Sequence, residues 1–159
     1  MLEKILWIVG FAVLLGISRI IPHPPNFTPL LAVAVFIPTI VKDQELEATL
    51  ITLGAMFIGD LYWGLHGFMF WTYASVVFAV MFTALGYNIW INAISASVVF
   101  FIVTNFGVWT AGYYTYTVQG LIACYVAAIP FFTNTLLGTL FYTALFKGIT
   151  QLRYTRLLR

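Results

Sequence analysis

The sequence predicts an all-α fold: a polytopic membrane bundle of about six transmembrane helices forming one domain over residues 1–159. Three observations carry this expectation. Of the 159 residues, 62% are hydrophobic and 8% charged, with a mean hydropathy of +1.00, a balance that does not suit a water-soluble domain of this size. Long apolar runs alternate with short breaks that are polar or contain proline or glycine. A hydrocarbon core about 30 Å thick takes roughly 20 residues per helix, so about six spans use up the chain and leave no room for an extramembrane domain.

The first expected span, 4–21, follows Lys4 and runs through Arg19. A cleaved secretory signal typically ends at an Ala-x-Ala site; none precedes Arg19, and the apolar run continues into the proline loop, so the segment is expected to be retained. It carries Ala12-x-x-x-Gly16, a spacing of small residues that lets a second helix approach closely, either within the bundle or on a partner. The second span, 28–41, is short and has Pro38 near its end. The third, fourth and fifth follow at 48–65, 68–85 and 89–109. The last, 118–146, is long, and Pro130 is expected to bend it, because proline removes a backbone hydrogen bond and crowds the preceding turn. Asn134, one turn beyond, is expected to bond a neighbouring helix, whereas Thr133, Thr135 and Thr139 can bond back to their own helix.

The net charge of +2 reflects the C-terminal Lys147, Arg153, Arg156 and Arg159. That tail is too short to suggest a nucleic-acid partner and instead marks the cytoplasmic side. With an even number of spans, both termini are expected in the cytoplasm, together with the loop that contains Lys42. Three segments then share the opposite side: the proline loop Arg19–Pro29, the junction Asp60–Gly67 and the tyrosine-rich Thr110–Gln119. The single cysteine, Cys124, has no partner for an intramolecular disulfide.

The proline loop is the most informative stretch. An arginine at a helix end, followed by four prolines, a histidine and an asparagine, is unusual in so apolar a chain. Ionisable groups at membrane depth pair with one another or face polar cavities. Arg19 and Asp60 can therefore bind each other, contact a ligand, or do both. His23, Asn26, His66, Asn105 and Trp109 fall on the same side, and aromatic walls with a few convergent polar groups are what a small-molecule site requires. Tyrosine and tryptophan at this level also suit an interfacial belt, which does not account for Asn105. His23 and His66 without a Cys, Asp or Glu grouping of recognisable spacing do not make a metal site, and no nucleophile motif is present. No metal, no cofactor and no enzymatic activity are expected. An intramembrane enzyme would have to use Asp60 and the two histidines as its acid–base groups.

Pro22-His-Pro-Pro-Asn-Phe-Thr-Pro29, Gly59-Asp-Leu-Tyr-Trp-Gly-Leu-His66, Thr104-Asn-Phe-Gly-Val-Trp109 and Gly120-Leu-Ile-Ala-Cys-Tyr125 with Ala128-Ile-Pro-Phe-Phe-Thr-Asn-Thr135 resemble a family of small bacterial membrane proteins of unassigned function. The resemblance covers nearly the whole chain. More distantly, the short spans, the proline loop after the first helix and the Gly-Asp end of the third resemble the substrate-binding S components of energy-coupling-factor vitamin transporters. That resemblance implies a pocket near the extracytoplasmic face under the first loop, walled by Arg19, His23, Asn26, Asp60, His66, Asn105 and Trp109. It also implies that Ala12 and Gly16 dock on a transmembrane coupling subunit served by ATPases. The expected function is capture and transport of a small micronutrient, a vitamin or its precursor, in a bacterial cytoplasmic membrane. The alternative is an accessory subunit of a larger membrane complex that binds lipid, pigment or partner helices.

Overall fold

The computed structural model describes residues 2–18, 20–40, 45–83 and 85–157; at 2–5, 8, 45, 48, 63 and 153–157 it describes the backbone alone. Arg19, Lys42 and Arg159 lie outside the described residues, as do the side chains of Lys4, Arg153 and Arg156. The possible Arg19–Asp60 pair and most of the charges behind the expected orientation lie outside them too.

Six helices and no strand form among the described residues: α1 Leu2–Ser18, α2 Leu30–Ile40, α3 Glu45–Trp63, α4 Met69–Thr83, α5 Ile89–Thr110 and α6 Val118–Leu157. Each corresponds to one expected span. α5, and α6 from Val118 to Leu152, are long and apolar enough to cross a membrane, while the apolar stretches of the other four are shorter. The 11 residues of α2 rise only about 16 Å, roughly half of a hydrocarbon core. α6 continues to Leu157, beyond the expected end at 146. Hydropathy falls there, but leucine, glutamine and arginine are good helix formers, so loss of apolarity does not end the helix.

Local chemistry fixes the ends. Ser18 Oγ bonds back to Leu15 O (2.8 Å) in the last turn of α1, and the chain then enters the proline segment. Pro29 opens α2 by accepting from Val33 N (2.8 Å), an early-turn position where a missing N–H costs nothing. α3 closes on Gly64, whose φ of +101° is a conformation that glycine adopts without strain and whose N–H returns to Asp60 O (2.8 Å). Asn88 caps α5 by accepting from Trp90 N at 2.8 Å.

α2 forms the axis of the bundle. Every residue from Leu31 to Ile37 is buried, and all five other helices touch it. α5 and α6 pair as a long hairpin, joined where Tyr125 Oη donates to Ile102 O (2.7 Å) and where the rings of Phe101 and Phe132 meet at 4.8 Å. α4 lies flush on α5 because Gly107 leaves room for the Trp71 ring; a Cβ there would overlap it. α6 stays helical through Pro130. Thr133, Thr135 and Thr139 bond back to Ile129, Phe131 and Thr135 carbonyls, as expected. The side chain of Asn134, half-buried, makes no hydrogen bond among the described residues, so it does not tie α6 to a neighbour as expected. The back-bonding threonines around it serve their own helix instead.

Candidate ligand-binding site

The segment between α1 and α2 is built as a strap that reaches α6 about midway along that helix, at Gly138. His23 holds its first part, with Nε2 at 2.8 Å from Ser18 O and Nδ1 at 2.8 Å from Pro24 O. A tight turn follows, in which Phe27 N donates to Pro24 O and Thr28 N to Asn26 O, each at 3.0 Å. The turn requires Asn26 at φ +64°, the left-handed region that asparagine tolerates better than most residues. Phe27 anchors the far side. Its ring packs on Phe141 and Tyr142 at 5.9 and 6.0 Å, and its backbone rests on Gly138, where a Cβ would come within 3.2 Å of Phe27 Cα.

Beside this strap lie two adjoining cavities of about 360 and 220 Å³. They share Asn26, Thr72, Phe100 and Thr135. The larger is walled by aromatic residues of α5, α6 and their connecting loop, Phe100, Phe101, Phe131, Phe132 and Tyr114, with Thr104, Asn105 and Cys124 among them. The smaller lies beside the start of α2, where Leu30, Leu31 and Met56 meet Asp60, His66, Thr28 and Thr139.

Asp60 is the one described carboxylate on either wall and is 1% exposed. Tyr73 Oη of α4 donates to its Oδ2 at 2.8 Å, a bond strengthened by the charge of the acceptor. His66 Nε2 stands 4.0 Å from Oδ1, too far for a hydrogen bond but close enough for attraction when the imidazole is charged. Asn105 donates its Nδ2 to Phe101 O at 2.7 Å, and its own carbonyl accepts the Cys124 thiol at 3.4 Å.

Asn26, Asp60, His66 and Asn105, distant in sequence, thus converge on the paired cavities. His23 and Trp109 line neither. His23 is engaged by strap carbonyls, and Trp109 Nε1 donates to Thr115 O (3.0 Å) within its own loop while its ring meets Phe106 and Tyr116. Ala12 is half-buried against the core, and Gly16, also half-buried, faces open space at its Cβ position. The lining also includes Thr72, Thr104, Thr135, Thr139 and the paired phenylalanines 100–101 and 131–132, none of which was expected in the site. Repetition of threonine every fourth residue along α6, at 135 and 139, is the sequence signal that marks one face. Among the described residues no three of His, Cys, Asp or Glu gather as metal ligands would.

No curated protein and no solved structure matches the chain. The model of a family of unknown function, DUF6580, matches residues 1–158, and the chain belongs to that family.

Proposed function

We propose that this family member is a membrane-embedded binding and transport subunit that captures a small molecule beside the strap. The observation that carries the proposal is the convergence of Asn26, Asp60, His66 and Asn105 on two adjoining cavities whose remaining walls are largely aromatic and apolar. Their size falls near the range of roughly 300–1,000 Å³ usual for small-molecule sites.

A bilayer setting is supported by the outer surface. Leu6, Val9 and Val13 on α1, Phe57, Ile58 and Leu61 on α3, and Ile122, Val126 and Ile129 on α6 are all more than two-fifths exposed. Contiguous apolar surface of this extent is stable against lipid and not against water. In this reading all six helices lie within a polytopic bundle like that of an S component, in a bacterial cytoplasmic membrane. Both termini are cytoplasmic, and the strap faces outward. The ligand is a micronutrient such as a vitamin or precursor. The pocket polar groups are Asn26, Asp60, His66 and Asn105; His23 and Trp109 act by shaping the strap and the α5–α6 loop. The face bearing Ala12 and Gly16 docks on a coupling subunit, and separate ATPases supply energy, since the chain carries no phosphate-binding loop.

Native mass spectrometry of the protein released from membranes tests the proposal. A bound small molecule is expected, and Asn105→Ala should reduce its occupancy while the melting temperature stays within a few degrees of the parent. If the parent carries no small molecule under any expression condition, or if Asn105→Ala changes only stability, the proposal fails. Release as part of a stoichiometric complex without a small molecule would favour the accessory-subunit reading, which the exposed apolar faces of α1 and α3 also suit.

A further inference from the structure

The level at which the strap turns can be read from the helices around it, since an α-helix rises about 1.5 Å per residue. Phe11, Phe36 and Phe146 meet in one aromatic layer, with ring centroids 4.9 to 6.0 Å apart. Ser18 stands seven residues from Phe11 along α1, Pro29 seven from Phe36 along α2, and Gly138, on which the strap rests, eight from Phe146 along α6. All three place the strap about 10–12 Å from the layer. The layer in turn is level with the start of α5, because Lys147, next to Phe146, holds its Nζ 5.4 Å from the centre of the Trp90 ring. From Trp90 to Thr110 α5 then climbs about 30 Å, the depth of a hydrocarbon core. Phe101, at the middle of α5, touches Phe132, which lies on α6 between Gly138 and the α5–α6 loop. The strap therefore turns roughly 20 Å short of the outer end of α5.

At that depth the strap is a poor neighbour for lipid. Every residue from Ile20 to Asn26 is exposed. Among the described residues, the backbone N–H groups of His23 and Asn26, the carbonyls of Pro22, His23 and Pro25, and the side-chain amide of Asn26 make no hydrogen bond. Irregular backbone at membrane depth persists only where protein or water satisfies it. A path for water is present. The larger cavity touches Asn26 on the strap, passes Thr104 and Asn105 on α5, and extends to Tyr114 in the α5–α6 loop. Given the bilayer setting and the ligand site proposed above, we infer that the strap is re-entrant and that a water-filled vestibule leads from the outer surface down to it. The molecule captured is then water-borne, and reaches the site through this vestibule rather than from the lipid. The shortness of α2 also acquires a cause: it crosses only the part of the bilayer that lies below the vestibule.

Spin labels on the full chain in liposomes test this, with Cys124→Ala leaving one thiol for the label. Power saturation is read with oxygen, which concentrates in lipid, and with a nickel chelate, which stays in water. Pro25→Cys reports on the strap, and Pro22→Cys is a second position should the first not fold. Leu137→Cys, next to Gly138 and 54% exposed on α6, reports on the lipid at the same level. Collision with the chelate is expected to be at least about fivefold greater at the strap than at Leu137, where oxygen dominates. Oxygen without chelate at the strap would put lipid against it and overturn the vestibule. Exclusion of both reagents would mean that protein covers the strap, which also overturns the vestibule and favours an accessory subunit. Equal access of the chelate to Leu137 would show that this level lies outside the hydrocarbon, and re-entry fails. Native mass spectrometry decides the ligand separately. A chelate-accessible strap with no bound molecule keeps the vestibule while the transport reading fails, and a bound molecule with a lipid-covered strap does the reverse.

Discussion

The two ends of α2 have been given opposite surroundings from nearly the same stock of residues. Toward its C-terminal end the rings of Phe11, Phe36 and Phe146 close on one another, with centroids 4.9 to 6.0 Å apart, and Trp7 joins Phe11 at 5.5 Å. All three phenylalanines are buried, and this end is a dry plug. At its N-terminal end Leu30 and Leu31 border a cavity, although Phe100, Phe101 and Phe132 stand as close to hand. What differs is the company the rings keep. Phe101 and Phe132 still meet at 4.8 Å, but the rest of the open end is lined by threonines at 72, 104, 135 and 139 and the amides at 26 and 105. Their side chains are too short to fill the space and too polar to let it close.

If that contrast is right, substitutions at the two ends should fail differently. The largest effect is expected from Phe36→Ala, which removes the ring shared by Phe11 and Phe146 and should cost about 3–5 kcal/mol in reversible denaturation from detergent or mixed micelles. Small-molecule occupancy at the other end should survive under conditions where the variant is folded; joint loss of both would mean the ends are not separable. Next comes Tyr73→Phe, which takes the 2.8 Å donor from buried Asp60 and should cost about 1.5–3 kcal/mol while altering small-molecule occupancy. An unchanged melt would show that Tyr73 does not support the carboxylate. Gly107→Ala should destabilise by about 1–3 kcal/mol, because the new methyl overlaps Trp71 where α4 lies on α5. A neutral result in thermal unfolding would mean that Trp71 has a second seat. Smallest of all should be Thr143→Val. Its hydroxyl is buried with no hydrogen-bond partner among the described residues, so an isosteric apolar replacement should leave stability unchanged or raise it slightly. A clear loss would reveal a buried water at that position.

Much of this organisation was legible in the sequence, and the parts that were not have a common cause. Helix boundaries follow from proline, glycine and asparagine at the breaks, as Pro29, Gly64 and Asn88 illustrate. The polar residues Asn26, Asp60, His66 and Asn105 stand out in an apolar chain and do meet. His23 and Trp109 stand out equally, yet local carbonyls take up their ring nitrogens. Polarity signals that a side chain needs a partner; it does not distinguish a partner in the next turn from one across the bundle. The threonine linings went unrecognised for the converse reason. A hydroxyl that bonds its own helix looks satisfied in sequence, whereas the lone pair it still presents matters only once a neighbouring helix leaves a gap. The extent of α6 beyond 146 belongs to the same lesson, since hydropathy follows the surroundings of a helix rather than its hydrogen bonds.

Cys124 is the only sulfhydryl in the chain and forms part of the wall of the larger cavity, 2% exposed. The molecule therefore carries its own chemical reporter, with no engineered label needed. The rate at which a maleimide reaches that sulfur measures how often the interior opens, and slowing of that rate by an added compound measures occupancy. One alkylation time course on the unaltered protein can thus follow both breathing and filling of the cavity.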